Sequence, residues 1–157
     1  MNIITQHNVG ALGDLVRLTD HSTATAGGSG DATSVTGNTI DRMGFSTGSM
    51  PRSALMGVLY EATLASGATL SLAFAVQDSP DGTNWSDYQT VASAVVATGP
   101  SGGGAVKGSA NIQVDLNGAR RYTRLNYQPD LSASGTDTAY ADGVGFFAGF
   151  DRLVAPN

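Results

Sequence analysis

The chain has 157 residues, no cysteine, and a net charge of −5 from 8 Lys+Arg against 13 Asp+Glu. That length is one domain's worth, and the absence of cysteine excludes disulfides, thiolate metal sites and a cysteine nucleophile. Eight scattered basic residues under a negative total do not assemble a phosphate-binding surface, so nucleic acid is not an expected partner.

Gly, Ala, Ser and Thr supply 73 of the 157 residues, and few Glu, Lys or Leu offset them, which disfavours long helices. A hydrophobic share of 41% still supports a core rather than disorder. The longest uncharged span, Tyr88 to Val106, is broken by Gly99-Pro100-Ser101-Gly102-Gly103-Gly104, so no membrane span is expected. Met1 to His7 has no basic start leading into an apolar run, and no export signal is read there.

In chain order, Asp14-Leu15-Val16-Arg17-Leu18 alternates and predicts a first strand. Thr19 to Asn38 is small and polar with four glycines, and predicts a long loop or arm that orders only against a surface. Residues 1–52 are therefore read as an N-terminal arm region with one short strand, and 53–157 as the β-sandwich core of a one-domain chain. Pro51 to Tyr60 is the nearest approach to a helical pattern, and it is short. Val58, Tyr60, Ala62 and Leu64 share one face; Leu70, Leu72, Phe74 and Val76 alternate with Ser71, Ala73, Ala75 and Gln77. Trp85 is read as opening the next strand. Ile112, Val114 and Leu116 alternate with Gln113 and Asp115, and residues 119–127 set Arg121, Thr123, Leu125 and Tyr127 opposite Tyr122, Arg124 and Asn126. Val144, Phe146, Ala148 and Phe150 close the series. Turn signals at 65–67, 79–82, 117–118 and 132–136 separate these runs. The fold class predicted is all-β, a single antiparallel β-sandwich or jelly roll. Its core is predicted to contain Val58, Tyr60, Leu70, Leu72, Phe74, Val76, Ile112, Val114, Leu116, Val144, Phe146 and Phe150.

Two strings stand out as candidate sites. In Asp78-Ser79-Pro80-Asp81-Gly82-Thr83-Asn84-Trp85, the oxygens of Asp78, Asp81 and Asn84 fall close enough to suggest calcium. The spacing lacks the terminal glutamate of a calcium loop, and the same residues make a hairpin turn without a metal, so no metal is expected. Arg120, Arg121 and Arg124, with Tyr122 and Tyr127, form the one basic and aromatic cluster. It is either a contact surface for an acidic partner or a set of ion pairs with aspartates on neighbouring strands. For catalysis there is little. His7 and His21 lie in the polar N-terminal third with no carboxylate at a recognisable spacing, Glu61 is the sole glutamate, and no nucleophile elbow, phosphate loop or zinc motif occurs. Neither enzymatic activity nor a cofactor is expected.

From residue 68 onward, the strings VQDSPDGTNW, VDLNGARRYTRLNY and GFDRL resemble small virion proteins of tailed bacteriophages. The class is the head decoration, or cement, proteins, similar to the jelly-roll cement proteins of short-tailed phages. The resemblance implies a structural protein made in the host cytoplasm that binds the major capsid protein on the outside of the virion and stabilises the shell. It carries over no catalytic residue. The composition also suits a tail or receptor-binding β-sandwich that recognises a host surface glycan. Exposed sheet edges, with Lys107 as the single lysine available to blunt them, predict a homo-oligomer, either dimer or trimer. The arm at 19–38 and the cluster from Arg120 to Tyr127 are the expected capsid contacts.

Overall fold

The computed structural model describes residues 13–45, 49–133 and 135–150, and among these it contains nine β-strands and no helix. They are β1 (Gly13–Arg17), β2 (Ser22–Thr25), β3 (Ile40–Asp41), β4 (Ser53–Leu64), β5 (Thr69–Ser79), β6 (Ser86–Thr98), β7 (Gly104–Asp115), β8 (Tyr122–Leu131) and β9 (Thr138–Ala148). One sheet runs β1-β9-β4-β7, with β2 continuing the β1 edge along β9. The other runs β3-β8-β5-β6. Every pairing is antiparallel, and the partners nest: β1 and β2 with β9, β3 with β8, β4 with β7, β5 with β6. The chain is thus one long hairpin, its tip between β5 and β6, rolled into two layers. That is a jelly roll.

Period-two patterning sets the layers. Along β5, Leu70, Leu72, Phe74 and Val76 turn inward, and along β4, Met56, Val58, Tyr60, Ala62 and Leu64 do the same. Ile112, Val114 and Leu116 complete the expected set on β7 and just beyond it. The stretch from Pro51 to Tyr60 is strand from Ser53 onward, and it leaves Leu55 and Leu59 outside.

The last strand faces opposite to the expectation. Val144 and Phe146 lie on the outer face, while Ala139, Ala141, Gly143, Gly145 and Phe147 face the interior. Space explains the inversion. Leu18 and Thr19 are wholly buried over the two glycines, where a Cβ on Gly145 would stand 2.9 Å from Leu18 and one on Gly143 2.8 Å from Thr19. The Leu18 N–H donates to the Gly143 carbonyl at 2.8 Å, and the Gly143 N–H donates to Thr19 Oγ1 at 2.7 Å. Phe150 sits half-buried at the core margin, its ring 5.4 Å from that of Phe45.

Residues 19–38 find their surface on their own chain. After β2 lies along β9, Ala26 is buried, the Ala32 N–H donates to the Pro129 carbonyl at 2.8 Å, and Val35 bridges Tyr127 on β8. The Asn38 N–H then returns to the Leu18 carbonyl at 2.6 Å. This segment closes one side of the sandwich. On the other side, β6 meets β4 and β7 through side chains: the Tyr60 hydroxyl of β4 donates to the Val96 carbonyl of β6, and the Tyr88 hydroxyl of β6 to the Asp115 carbonyl of β7, each at 2.6 Å.

Candidate functional site

The β8 cluster does not form one surface. Tyr122 and Arg124 face outward, but strand parity turns Tyr127 inward, where it is 1% exposed. Its hydroxyl shares a 2.6 Å hydrogen bond with Ser22 Oγ, and burial raises its pKa. Tyr127 is therefore part of the core and cannot reach a partner. The arginines are engaged at home. Arg121 makes two bonds to the Asp41 carboxylate, at 3.0 and 2.7 Å, a fork that holds the Asp41 pKa below its ordinary value. Arg124 donates to Gln77 Oε1 at 2.8 Å and lies 4.2 Å over the Trp85 ring, a cation–π pair. Arg120 donates through its main-chain N–H to Asp78 Oδ2 at 2.8 Å and reaches Ser86 Oγ at 3.5 Å.

The hairpin tip explains the three oxygen-bearing residues. Asp81 Oδ1 accepts from the N–H groups of Thr83 and Asn84 at 2.9 and 2.8 Å and from Ser79 Oγ at 2.9 Å. Asp81 Oδ2 takes the Asn84 amide at 2.7 Å. Asp78 is buried and points away, toward Arg120. The carboxylate of Asp81 is thus committed to its own loop, and among the described residues no three metal-binding side chains converge. These bonds, the one from the Asn84 N–H foremost, depress the Asp81 pKa well below the carboxylate range. A depressed carboxylate stabilises the fold above its unfolded pKa and stops doing so as pH falls through the folded value. Asp81→Ala is accordingly expected to melt below the parent at pH 7, with the gap narrowing as pH drops below about 4. Thermal melts of both proteins across that range check this, and a gap that stays constant to the acid limit contradicts it.

One functional group escaped the sequence reading. Arg42 is 3% exposed, and its guanidinium is held by main-chain carbonyls: Pro51 at 2.7 Å, Leu116 at 2.8 Å, Arg120 at 3.0 Å, and Ala119. It clamps the approach to β4 onto the β7–β8 connection, and burial lowers its pKa. Nothing in the sequence separates this arginine from the exposed ones.

The other overlooked feature is the outer face of the β4 sheet. Register places Leu15 beside Phe146 and Phe146 beside Leu55 in one row, and Val144 beside Gly57 in the next. Leu15, Leu55 and Leu59 are 76%, 43% and 51% exposed. With Val144 and Phe146 they rim a shallow hollow of about 180 Å³ floored by Gly57. Polar groups gather at one end of this face and pair with one another: Arg17 with Asp142 at 3.2 Å, the His21 ring against the same carboxylate at 3.1 Å, and Lys107 with Glu61 at 3.0 Å.

No protein-family model matches the chain, and no curated protein sequence does. Among solved structures, it is similar to one of the infectious bursal disease virus Gx strain, with 10% identity over 90% of this chain and 33% of that one, at a TM-score of 0.49. Particles of T=1 type derived from the same virus give 14% identity over 87% and 31% of the two chains, at a TM-score of 0.44. Its VP2 subviral particle gives 11% identity over 92% and 35%, at 0.42. The chain spans about a third of the length of these proteins. Likeness at this level establishes no family for it.

Proposed function

We propose that this protein is a non-enzymatic structural component of a virion, a decoration protein that seats on the major capsid protein at the outside of a phage head. The observation that carries the reading is the apolar row of Leu15, Phe146 and Leu55 with Val144 and Leu59 beside it on the outer face of the sheet, the three leucines exposed and Phe146 and Val144 half-buried between them. A contiguous apolar patch ringed by polar groups is what a protein-binding face looks like. The resemblance of the strings from residue 68 onward to cement proteins supplies the kind of partner. The β8 arginines lie on the opposite sheet and are occupied by Asp41, Gln77 and Asp78, so they belong to the internal framework in this reading.

Co-sedimentation with undecorated heads tests it. Leu55→Asp places a charge in the contact and is expected to weaken binding at least tenfold, about 1.4 kcal/mol or more. Arg121→Ala is expected to stay within about twofold of the parent at low and high salt. Unchanged binding by Leu55→Asp overturns the apolar contact. A salt-sensitive loss in Arg121→Ala moves the contact to the β5 sheet, and binding to host-cell glycan in place of heads moves the protein to the tail.

A further inference from the structure

A β-sandwich has four sheet edges, and here three of them are blunted. The β1–β2 edge is interrupted where Leu18 and Thr19 dip into the core. The β3 edge is two residues long and is continued by the arm through Val35. The β6 edge slips register against β5 at three points, and such bulges twist an edge away from flat pairing. The fourth edge, β7, is different. It pairs with β4 in unbroken register from Gly104 to Asp115 and contains no proline. Its one lysine, Lys107, is drawn back over β4 by Glu61 rather than out over the edge.

The carbonyls of Gln113 and Asp115 face the open side, where Gln89 Nε2 and the Tyr88 hydroxyl donate to them. By strand parity the main-chain groups of Ala105, Lys107, Ser109 and Asn111 face the same way. That stretch is centred on Gly108. A Cβ there would come 2.5 Å from the Tyr60 hydroxyl, which in turn donates to the Val96 carbonyl, so the C-terminal end of β6 lies close by. Val91 and Val95 of β6 are 39% and 59% exposed.

The geometry points to pairing of β7 with β7 of a second copy of this chain, antiparallel about a two-fold axis at Gly108. The segment is complementary to itself in that register. Val106 falls opposite Ala110 on the inner side, and both are already partly buried against the core. Lys107 falls opposite Ser109 on the outer side, so no like charges are apposed. Ala105 and Asn111 pair at the ends, which uses the whole stretch that no strand among the described residues pairs on this side and stops short of the two carbonyls that β6 already serves. Such an isologous contact closes on itself as a dimer and brings Val91 and Val95 toward the partner. It leaves the Leu15–Phe146–Leu55 row uncovered and does not depend on whether that row binds a capsid.

Light scattering at micromolar concentration tests the pairing. The parent is expected at twice the 15.9 kDa chain mass. Ser109→Pro deletes an edge-facing N–H without touching the β4 ladder, and is expected at the mass of one chain with its β spectrum intact. Gln113→Pro lies outside the paired stretch and is expected to remain dimeric. A monomeric parent, or a folded Ser109→Pro that stays dimeric, overturns the proposal. Should Ser109→Pro not fold, the chain's lack of cysteine allows Ala105→Cys with Asn111→Cys in one variant. Oxidation is expected to yield covalent dimers, and monomer alone counts against the pairing.

Discussion

Arg42→Met is expected to cost about 3–5 kcal/mol of unfolding free energy, the upper range for a single substitution, reached when a buried hydrogen-bond network is broken. Methionine keeps most of the side chain's length and apolar stem, so the loss isolates the guanidinium. Its departure strips a donor from the carbonyls of Pro51, Leu116, Ala119 and Arg120; the Leu116 carbonyl keeps the Ala119 N–H at 3.1 Å, and a buried acceptor left bare, as at Pro51, costs roughly 1–3 kcal/mol. The sum is moderated because the methionine no longer has a charge to desolvate and because water can reach part of the 116–120 connection. For a chain of this length the melting temperature should fall by roughly ten degrees. Arg42→Lys should recover less than half of the loss, since a single ammonium cannot span carbonyls that a planar fork serves from two sides. Urea titration of the three proteins checks this, and a loss below about 1 kcal/mol for Arg42→Met refutes the clamp.

The second large effect separates two neighbours. Phe147→Ala should destabilise by about 3–5 kcal/mol, because a fully buried ring leaves a cavity that the two sheets cannot collapse around. Phe146→Ala, on the outer face of the same strand, should cost under about 1.5 kcal/mol. On the decoration role proposed above, head binding reverses that order, with Phe146→Ala expected to bind more weakly than the parent while Phe147→Ala, where folded, keeps its affinity. Equal stability losses from the two variants would show that the strand faces have been assigned wrongly.

These same neighbours show what the amino-acid pattern could and could not convey. β5 was legible because Ser71, Ala73, Ala75 and Gln77 stand between four large apolar residues, so both faces announce themselves. On β9 the inward positions include Gly143 and Gly145, whose missing side chains are replaced by Leu18 and Thr19 from more than a hundred residues earlier. Read locally, the bulk of Val144 and Phe146 looks like the core face; only the long-range packing reverses it. β6 was announced by Trp85 alone, because an edge strand with three register slips and exposure on both faces has no burial period to display. The candidate site divides in the same way. The turn chemistry of Asp81 and Asn84 is local and was readable, whereas the partners of Arg121 and Arg124 are set by β3, β5 and the hairpin tip meeting β8. The Arg42 clamp joins residues up to 78 positions apart and has no short-range signature at all.

The nested pairing of the strands has a bearing on how the molecule comes into being. Gly13 sits across from Ala148, so the first described strand has no hydrogen-bonded neighbour until the last has been synthesised. The innermost hairpin, β5 with β6, can close early around the tip at Asp81, but β1 to β3 must wait as bare strands. Loop closure over such separations is slow compared with local zippering, and the small, polar, nearly uncharged 19–38 segment is well suited to the wait, offering little for a stray strand to stick to. Conversely, two strand ends that lie side by side can be joined by a short linker and the chain reopened at the 99–103 connection. In such a circular permutant β1 would follow β9 directly. The outermost pair would then form as a local hairpin, and the order in which the layers assemble would be turned inside out.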